Sequence, residues 1–129
     1  MRPWLAIPIE ECGEPLIALP AAAIAFTVPH PYQELGAPYG GASPWMLRQG
    51  VLAALLDAQA ALDARRPGWR LKLFDAYRPV AVQSFMVWQE FLKQARLANV
   101  SLAGYADPQM LHARQPDLHD RLAATVYEF

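Results

Sequence analysis

Apolar residues recur at helical spacing in the first long stretch of the chain. They follow one another three or four positions apart, at Leu47, Val51, Leu55, Ala58 and Leu62. This spacing places them on one face of an α-helix. Ser43 is a favourable N-cap, Pro44 suits the first helical turn, and Pro67-Gly68 is typical of a helix end. We therefore predict a helix at about 44–66.

A second stretch has the same period and a wider apolar face. It begins at Val80, directly after a proline, and continues to about Leu97. Its stripe consists of Ala81, Phe85, Trp88, Leu92 and Ala95, with Val87 and Phe91 beside it. Because the apolar face is wide, we expect most of this second helix to be buried.

Between the two helices, the chain alternates between apolar and polar residues from Trp69 to Leu73. Alternation is the period of a half-buried strand, which we predict at 69–76. The signals elsewhere are weaker. The prolines of residues 1–43 exclude a long helix there and leave short extended pieces near 5–9 and 24–28 and an ordered loop at 29–41.

After Asn99 we expect two short helices. The first is predicted at 109–114, and the second at 118–127, with Asp117 as its cap after the interruption at Pro116. The predicted organisation is one domain spanning residues 1–129. It consists of a loop-rich lead-in (1–43), a helix–strand–helix core (44–97) and a region of short helices (98–129).

The composition fits a globular protein of modest core size. Of the 129 residues, 54% are hydrophobic and 18% are charged, which argues against disorder. The formal net charge is −1 with no long charged run, so we expect neither nucleic acid nor a membrane surface as a partner. The single cysteine, Cys12, excludes an internal disulfide. No signal-peptide pattern is present, and we expect a cytoplasmic protein.

Arg78 is the best-presented candidate for chemistry. It lies between the predicted strand and the second helix, and Pro79 favours extended geometry at this position. A rigid junction of this kind can direct a guanidinium, whose planar fork of donors suits a carboxylate or a developing oxyanion. The alternative is an ordinary surface arginine at a helix start.

Histidines and aspartates near the end of the chain are a weaker candidate. They are His112, Asp117, His119 and Asp120. Two imidazoles and a carboxylate are a ligand set that zinc accepts. However, Pro116 lies between the histidines and is expected to keep them from sharing one helix face, so we assign no metal site there. His30, between two prolines, is expected to be a loop residue.

One block of the sequence resembles a known family. Phe74-Asp75-Ala76-Tyr77-Arg78-Pro79, followed by Val82-Gln83 and Phe85-Met86, resembles the Asp/Gly-x-Tyr-Arg-Pro block of the D-alanyl-D-alanine dipeptidases, the zinc peptidases of the vancomycin-resistance type. The resemblance extends over roughly residues 29–88. It implies an α+β fold, with two main helices packed on a small, mostly antiparallel sheet.

The resemblance also implies an activity. The intact enzyme hydrolyses the small dipeptide D-Ala-D-Ala with zinc as cofactor, in cell-wall peptide turnover or glycopeptide resistance. The arginine of the block stabilises the transition state, and this residue is Arg78 here, expected in a small, dry pocket. Asp75 and Tyr77 are expected to orient it, although a strand-end residue and a packed ring explain these two positions equally well.

The chain departs from the family in its metal site. The family's zinc ligands and general base lie in a Ser-x-His-x-x-Gly-x-Ala-x-Asp block and a Glu-x-x-His block, and neither occurs here. We therefore expect no metal ligand in this chain. The end at Phe129, directly after a helical pattern, predicts an incomplete domain that lacks its zinc-binding C-terminal half, is inactive alone and self-associates through exposed apolar surface.

Two alternatives remain open at this point. In the first alternative, the chain is complete and acts as a non-catalytic binding module that keeps the arginine pocket. In the second, it belongs to a D,D-carboxypeptidase or L,D-type cell-wall peptidase with related zinc chemistry.

Overall fold

The computed structural model describes residues 6–127. Within this range the fold is α+β, which confirms the predicted class. In chain order the elements are β1 (Leu16–Ala18), β2 (Ala25–Phe26), α1 (Pro31–Glu34), β3 (Met46–Arg48), α2 (Gln49–Arg65), β4 (Lys72–Leu73), α3 (Val80–Leu97), α4 (Pro108–Arg114) and α5 (Pro116–Val126). They divide between two compact units: residues up to 27 with 45–77, and residues 28–44 with those from 78 onward.

The strands of the first unit form two separate pairs. β1 and β3 are antiparallel, whereas β2 and β4 are parallel. The strand predicted at 69–76 is therefore reduced to β4 and lies in the parallel pair, although the resemblance implied a mostly antiparallel sheet. Thr27 fastens the end of this pair, because its backbone N–H and its Oγ1 both donate to the carbonyl oxygen of Leu73, at 2.8 and 2.9 Å.

The helix predicted at 44–66 exists but begins later. Residues 46–48 form β3 and exchange backbone hydrogen bonds with β1, so α2 starts at Gln49 and Pro44 precedes the strand. Pairing with a distant segment has overridden the local start signal, since the extended backbone gains a hydrogen-bonding partner there. The predicted end is confirmed, because α2 ends at Arg65.

The buried face of α2 is also rotated from the predicted stripe. Val51 is 54% exposed, whereas Leu52 and Gln59 are buried. The Gln59 amide donates to the carbonyl oxygen of Trp69 at 2.9 Å and accepts from the N–H of Leu71 at 2.7 Å. A buried polar side chain thus fixes the segment that leads into β4, which a purely apolar stripe does not predict.

An aromatic contact joins β2 to the residue before β3 in the first unit. The rings of Phe26 and Trp45 are stacked, with centroids 4.7 Å apart and planes 8° from parallel. Trp69, by contrast, is 64% exposed.

β1 was not predicted. Of the two predicted extended pieces, 24–28 contains β2. The other, at 5–9, has no strand in its described part, and Leu5 lies outside the described residues.

The second unit is built around α3, whose bounds match the prediction. α3 packs against α5, and α4 packs against α5, around a core of buried apolar residues: Phe91, Ala95, Leu102, Leu111, Leu122 and Val126. Trp88 stacks on Phe91 at a centroid distance of 6.0 Å. Ala81, predicted to lie in the stripe, is exposed, because the face turns towards Val82 and Phe91.

The two terminal helices follow the predicted turn and interruption. Asp107 caps α4 by accepting from the N–H of Met110 at 2.7 Å. Pro116 occupies the first turn of α5, so that Asp117 lies inside this helix and does not cap it as predicted.

None of the helices in residues 6–127 has the length and apolar character to cross a membrane. Some apolar side chains are exposed, among them Ile9 at 97% and Val80 at 84% of their accessible surface. Self-association through such surface stays a prediction.

Candidate functional site

The guanidinium of Arg78 is held by side chains from two helices of the second unit. Its Nη2 donates to the hydroxyl oxygen of Tyr32 at 2.8 Å, and its Nη1 donates to Oε1 of Gln83 at 2.7 Å. The guanidinium carbon also lies 4.7 Å from the centroid of the Tyr32 ring, within the range of a cation–π interaction. These contacts fix the plane and direction of the donor fork.

Short-range packing in the 29–41 loop positions Tyr32. The loop contains α1, whose N-cap is His30, and the Nδ1 of this histidine accepts from the backbone N–H of Tyr32 at 3.2 Å. His30 is only 3% exposed, and its ring meets those of Tyr32 and Tyr39 edge-on at 5.5 and 5.6 Å. The expected loop histidine is therefore a structural cap for the helix that carries the tyrosine.

Gln83 connects the arginine to a concave surface. It lies in the first turn of α3, next to the fully buried Val82, and accepts the hydrogen bond from Arg78. The same side chain lines a cleft of about 430 Å³ within the second unit. Other residues lining this cleft include Ser84, Trp88, Asp107 and Gln109.

The surroundings of Arg78 differ from the expectation in one respect. The resemblance implied a small, dry pocket, whereas Arg78 is exposed in this structure. Asp75 and Tyr77 are half-buried and belong to the first unit, and their orienting role stays a prediction. Tyr32 and Gln83 were not assigned from the sequence, although Tyr32 lies in the predicted loop and Gln83 in the block that carries the resemblance.

The structure brings together the histidines that Pro116 was expected to separate. They do lie on different helices, His112 on α4 and His119 on α5, yet their ring centroids are only 4.8 Å apart. Asp120 completes the group, with its Oδ1 2.9 Å from Nδ1 of His119 and 3.8 Å from Nδ1 of His112. Among residues 6–127, this is the one group of three or more side chains of metal-binding type that converge.

Sequence comparison relates the chain to the dipeptidases. Specifically, a protein of Synechocystis sp. named D-alanyl-D-alanine dipeptidase is 48% identical over 91 residues, which are 70% of this chain and 37% of that relative. The resemblance to the D-alanyl-D-alanine dipeptidase family that Phe74–Pro79 suggested is thus confirmed. The match covers little more than a third of the relative's length. No family model matches the chain, and no solved structure matches it.

Proposed function

We propose that this chain is the arginine-bearing part of a zinc-dependent D-Ala-D-Ala dipeptidase and that Arg78 stabilises the transition state. The observation that carries the proposal is that the Arg78 guanidinium is fixed by hydrogen bonds to two side chains, Tyr32 and Gln83, on two helices. Arg78 also lies in the block on which the family resemblance depends.

The chemistry follows from where negative charge develops during hydrolysis. When the scissile peptide carbonyl becomes tetrahedral, its oxygen gains charge, and a donor already aimed at that oxygen stabilises the transition state more than the ground state. Losing one such donor costs about 2.7–4 kcal/mol, or about 10²–10³ in kcat. Because Arg78 is exposed here, an effect of this size requires that the bound substrate exclude water from the guanidinium.

The residues around Arg78 do not form the family's zinc site. Tyr32 and Gln83 are not zinc ligands of the usual types, and the converging His112, His119 and Asp120 match neither of the family's ligand blocks. The zinc and the general base are therefore assigned no place in this chain. By itself it is inactive on D-Ala-D-Ala, the proposed small-molecule partner in cytoplasmic cell-wall peptide turnover or resistance.

The role of Arg78 is tested in a full-length protein that carries the family's zinc and base blocks. Arg78→Ala should lower kcat for D-alanine release from D-Ala-D-Ala by about 10²–10³, with zinc content by mass spectrometry unchanged. Arg96→Ala is the matched control, because this arginine is exposed in the last turn of α3, at the opposite end of the helix from Arg78. Turnover equal to that of the unaltered protein, or loss of zinc, would contradict the assignment.

The expected inactivity of the chain alone needs a separate measurement. The purified 129-residue protein is incubated with D-Ala-D-Ala and added zinc, and free D-alanine is quantified. We expect no release above the buffer rate. Turnover that depends on zinc and is abolished by Arg78→Ala would show that these residues contain a complete catalytic site.

A further inference from the structure

The group formed by His112, His119 and Asp120 provides three ligand atoms of the types that bind transition metals. One ligand atom from each residue lies within 4.8 Å of the others. Imidazole nitrogens with a carboxylate oxygen suit zinc, nickel and copper, whereas magnesium and calcium prefer oxygen ligands alone. The donor set therefore selects a class of ion.

The separations of the ligand atoms lie on either side of the value for a metal site. In a tetrahedral site with ligands at ~2.1 Å, neighbouring ligand atoms are ~3.4 Å apart. Nδ1 of His119 and Oδ1 of Asp120 are 2.9 Å apart, the distance of a hydrogen bond that an ion would replace, and Nδ1 of His112 lies 3.8 Å from the same oxygen. The His112 side chain is 59% exposed, so solvent leaves it room to rotate towards an ion held by the other two ligands.

The fold holds one ligand rigidly and leaves the others accessible. His119 has a 19% exposed side chain, and its ring stacks on the fully buried Phe91, with centroids 5.5 Å apart. The side chains of His112 and Asp120 are 59% and 70% exposed. An ion can therefore reach the group from solvent and complete its coordination with water.

The two helices that carry the ligands are anchored in one core. Leu111, next to His112, is fully buried, and Leu122 of α5 is 5% exposed in the same cluster. A single residue, Gln115, separates α4 from α5, and its N–H donates to the Leu111 carbonyl at 2.7 Å. The relative position of the histidines is thus set by packing and by a short turn, so binding requires little ordering of the backbone.

We propose that His112, His119 and Asp120 form a binding site for one divalent transition-metal ion of the zinc, nickel and copper class. This site is distinct from the family's zinc blocks, and it does not depend on the proposed dipeptidase function. It differs from the expectation that the chain contains no metal ligand, which rested on the absence of the family's ligand blocks and on Pro116 lying between the histidines.

The test is calorimetric titration of the metal-free 129-residue chain with zinc chloride. All variants carry Cys12→Ser, so that zinc cannot bind to this exposed free thiol and add to the signal. We expect one ion per chain and a higher Tm with zinc than without it, since an ion that binds only the folded state stabilises it. A stoichiometry below one half, or a Tm that zinc leaves unchanged, would overturn the proposal.

Variants locate the site. His112→Ala and Asp120→Asn alter exposed side chains, and each should weaken zinc binding at least ~10-fold and abolish the rise in Tm. His119→Phe keeps a ring against Phe91 and should weaken binding equally without loss of fold. Asp117→Asn is the matched control, because this carboxylate is exposed on the same helix and lies outside the group. If zinc binds the first three variants as tightly as the control, the ion binds elsewhere and the assignment is wrong.

Discussion

Replacing Gln59 by methionine should destabilise the first unit by breaking its link to the segment before β4. Methionine preserves the length and most of the volume of the side chain, so little cavity forms. What is lost is the amide, which accepts from the N–H of Leu71 at 2.7 Å and donates to the Trp69 carbonyl at 2.9 Å and to Oδ1 of Asp63 at 3.1 Å. Gln59 itself is 5% exposed, so these bonds are largely shielded from water.

The expected cost can be worked out group by group. The N–H of Leu71 is part-buried beside the buried Gln59, and a buried donor left without its acceptor costs about 1–3 kcal/mol. The Trp69 carbonyl and the Asp63 carboxylate belong to exposed residues and regain water, so they add little. We expect a loss of about 2 kcal/mol in the free energy of unfolding. For a chain of this size, that corresponds to a fall in Tm on the order of 6–10 °C.

The assay combines thermal unfolding with amide hydrogen exchange. Gln49→Met is the matched control, because this glutamine is exposed at the start of the same helix and should leave Tm unchanged. In Gln59→Met the amide of Leu71 should exchange faster, and that of Phe91 in the other unit should be less affected. If Tm stays within about 1 °C of the unaltered protein, or the Leu71 amide keeps its protection, the buried amide does not stabilise this segment.

Three further substitutions test other parts of the structure. Tyr32→Phe in the full-length protein removes the hydroxyl that accepts from Arg78; a hydrogen bond to a charged group contributes about 1.5 kcal/mol, so kcat for D-alanine release should fall about tenfold, and an unchanged kcat would contradict a positioning role. Phe91→Ala empties the centre of the second core and should cost about 3–5 kcal/mol in denaturant unfolding, whereas a loss below about 1 kcal/mol would show that the site collapses without a cavity. Asp107→Ala removes the cap of α4 and should cost about 1 kcal/mol, measured in the same way, and no loss would mean that water replaces the cap.

The sequence predicted best where structure depends on nearby residues. The bounds of α3 follow from Pro79 and from a continuous helical period, both of which are local. The start of α2 was wrong because β3 owes its extended form to β1, some 30 residues earlier in the chain. No local pattern at Ser43 or Pro44 contains that information, and a favourable cap signal alone cannot compete with strand pairing.

The candidate sites were predictable to different extents. Arg78 could be chosen from its place before Pro79 and from the family block, but its contact with Tyr32 joins residues 46 positions apart. The proximity of His112 and His119 was missed for another reason. Periodicity shows whether two residues share a helix face, but it does not show that a proline turn folds two helices so that their faces meet.

The packing of the tryptophans has a spectroscopic consequence. Trp45 is stacked on Phe26 in the first unit, and Trp88 is stacked on Phe91 in the second. Each unit therefore contains its own fluorophore in an aromatic environment that is lost on unfolding. In versions of the chain that keep only Trp45 or only Trp88, with Trp4, Trp69 and the other tryptophan replaced by phenylalanine, the emission would report on each unit separately. Emission shifts could then show whether the two units melt together or one after the other.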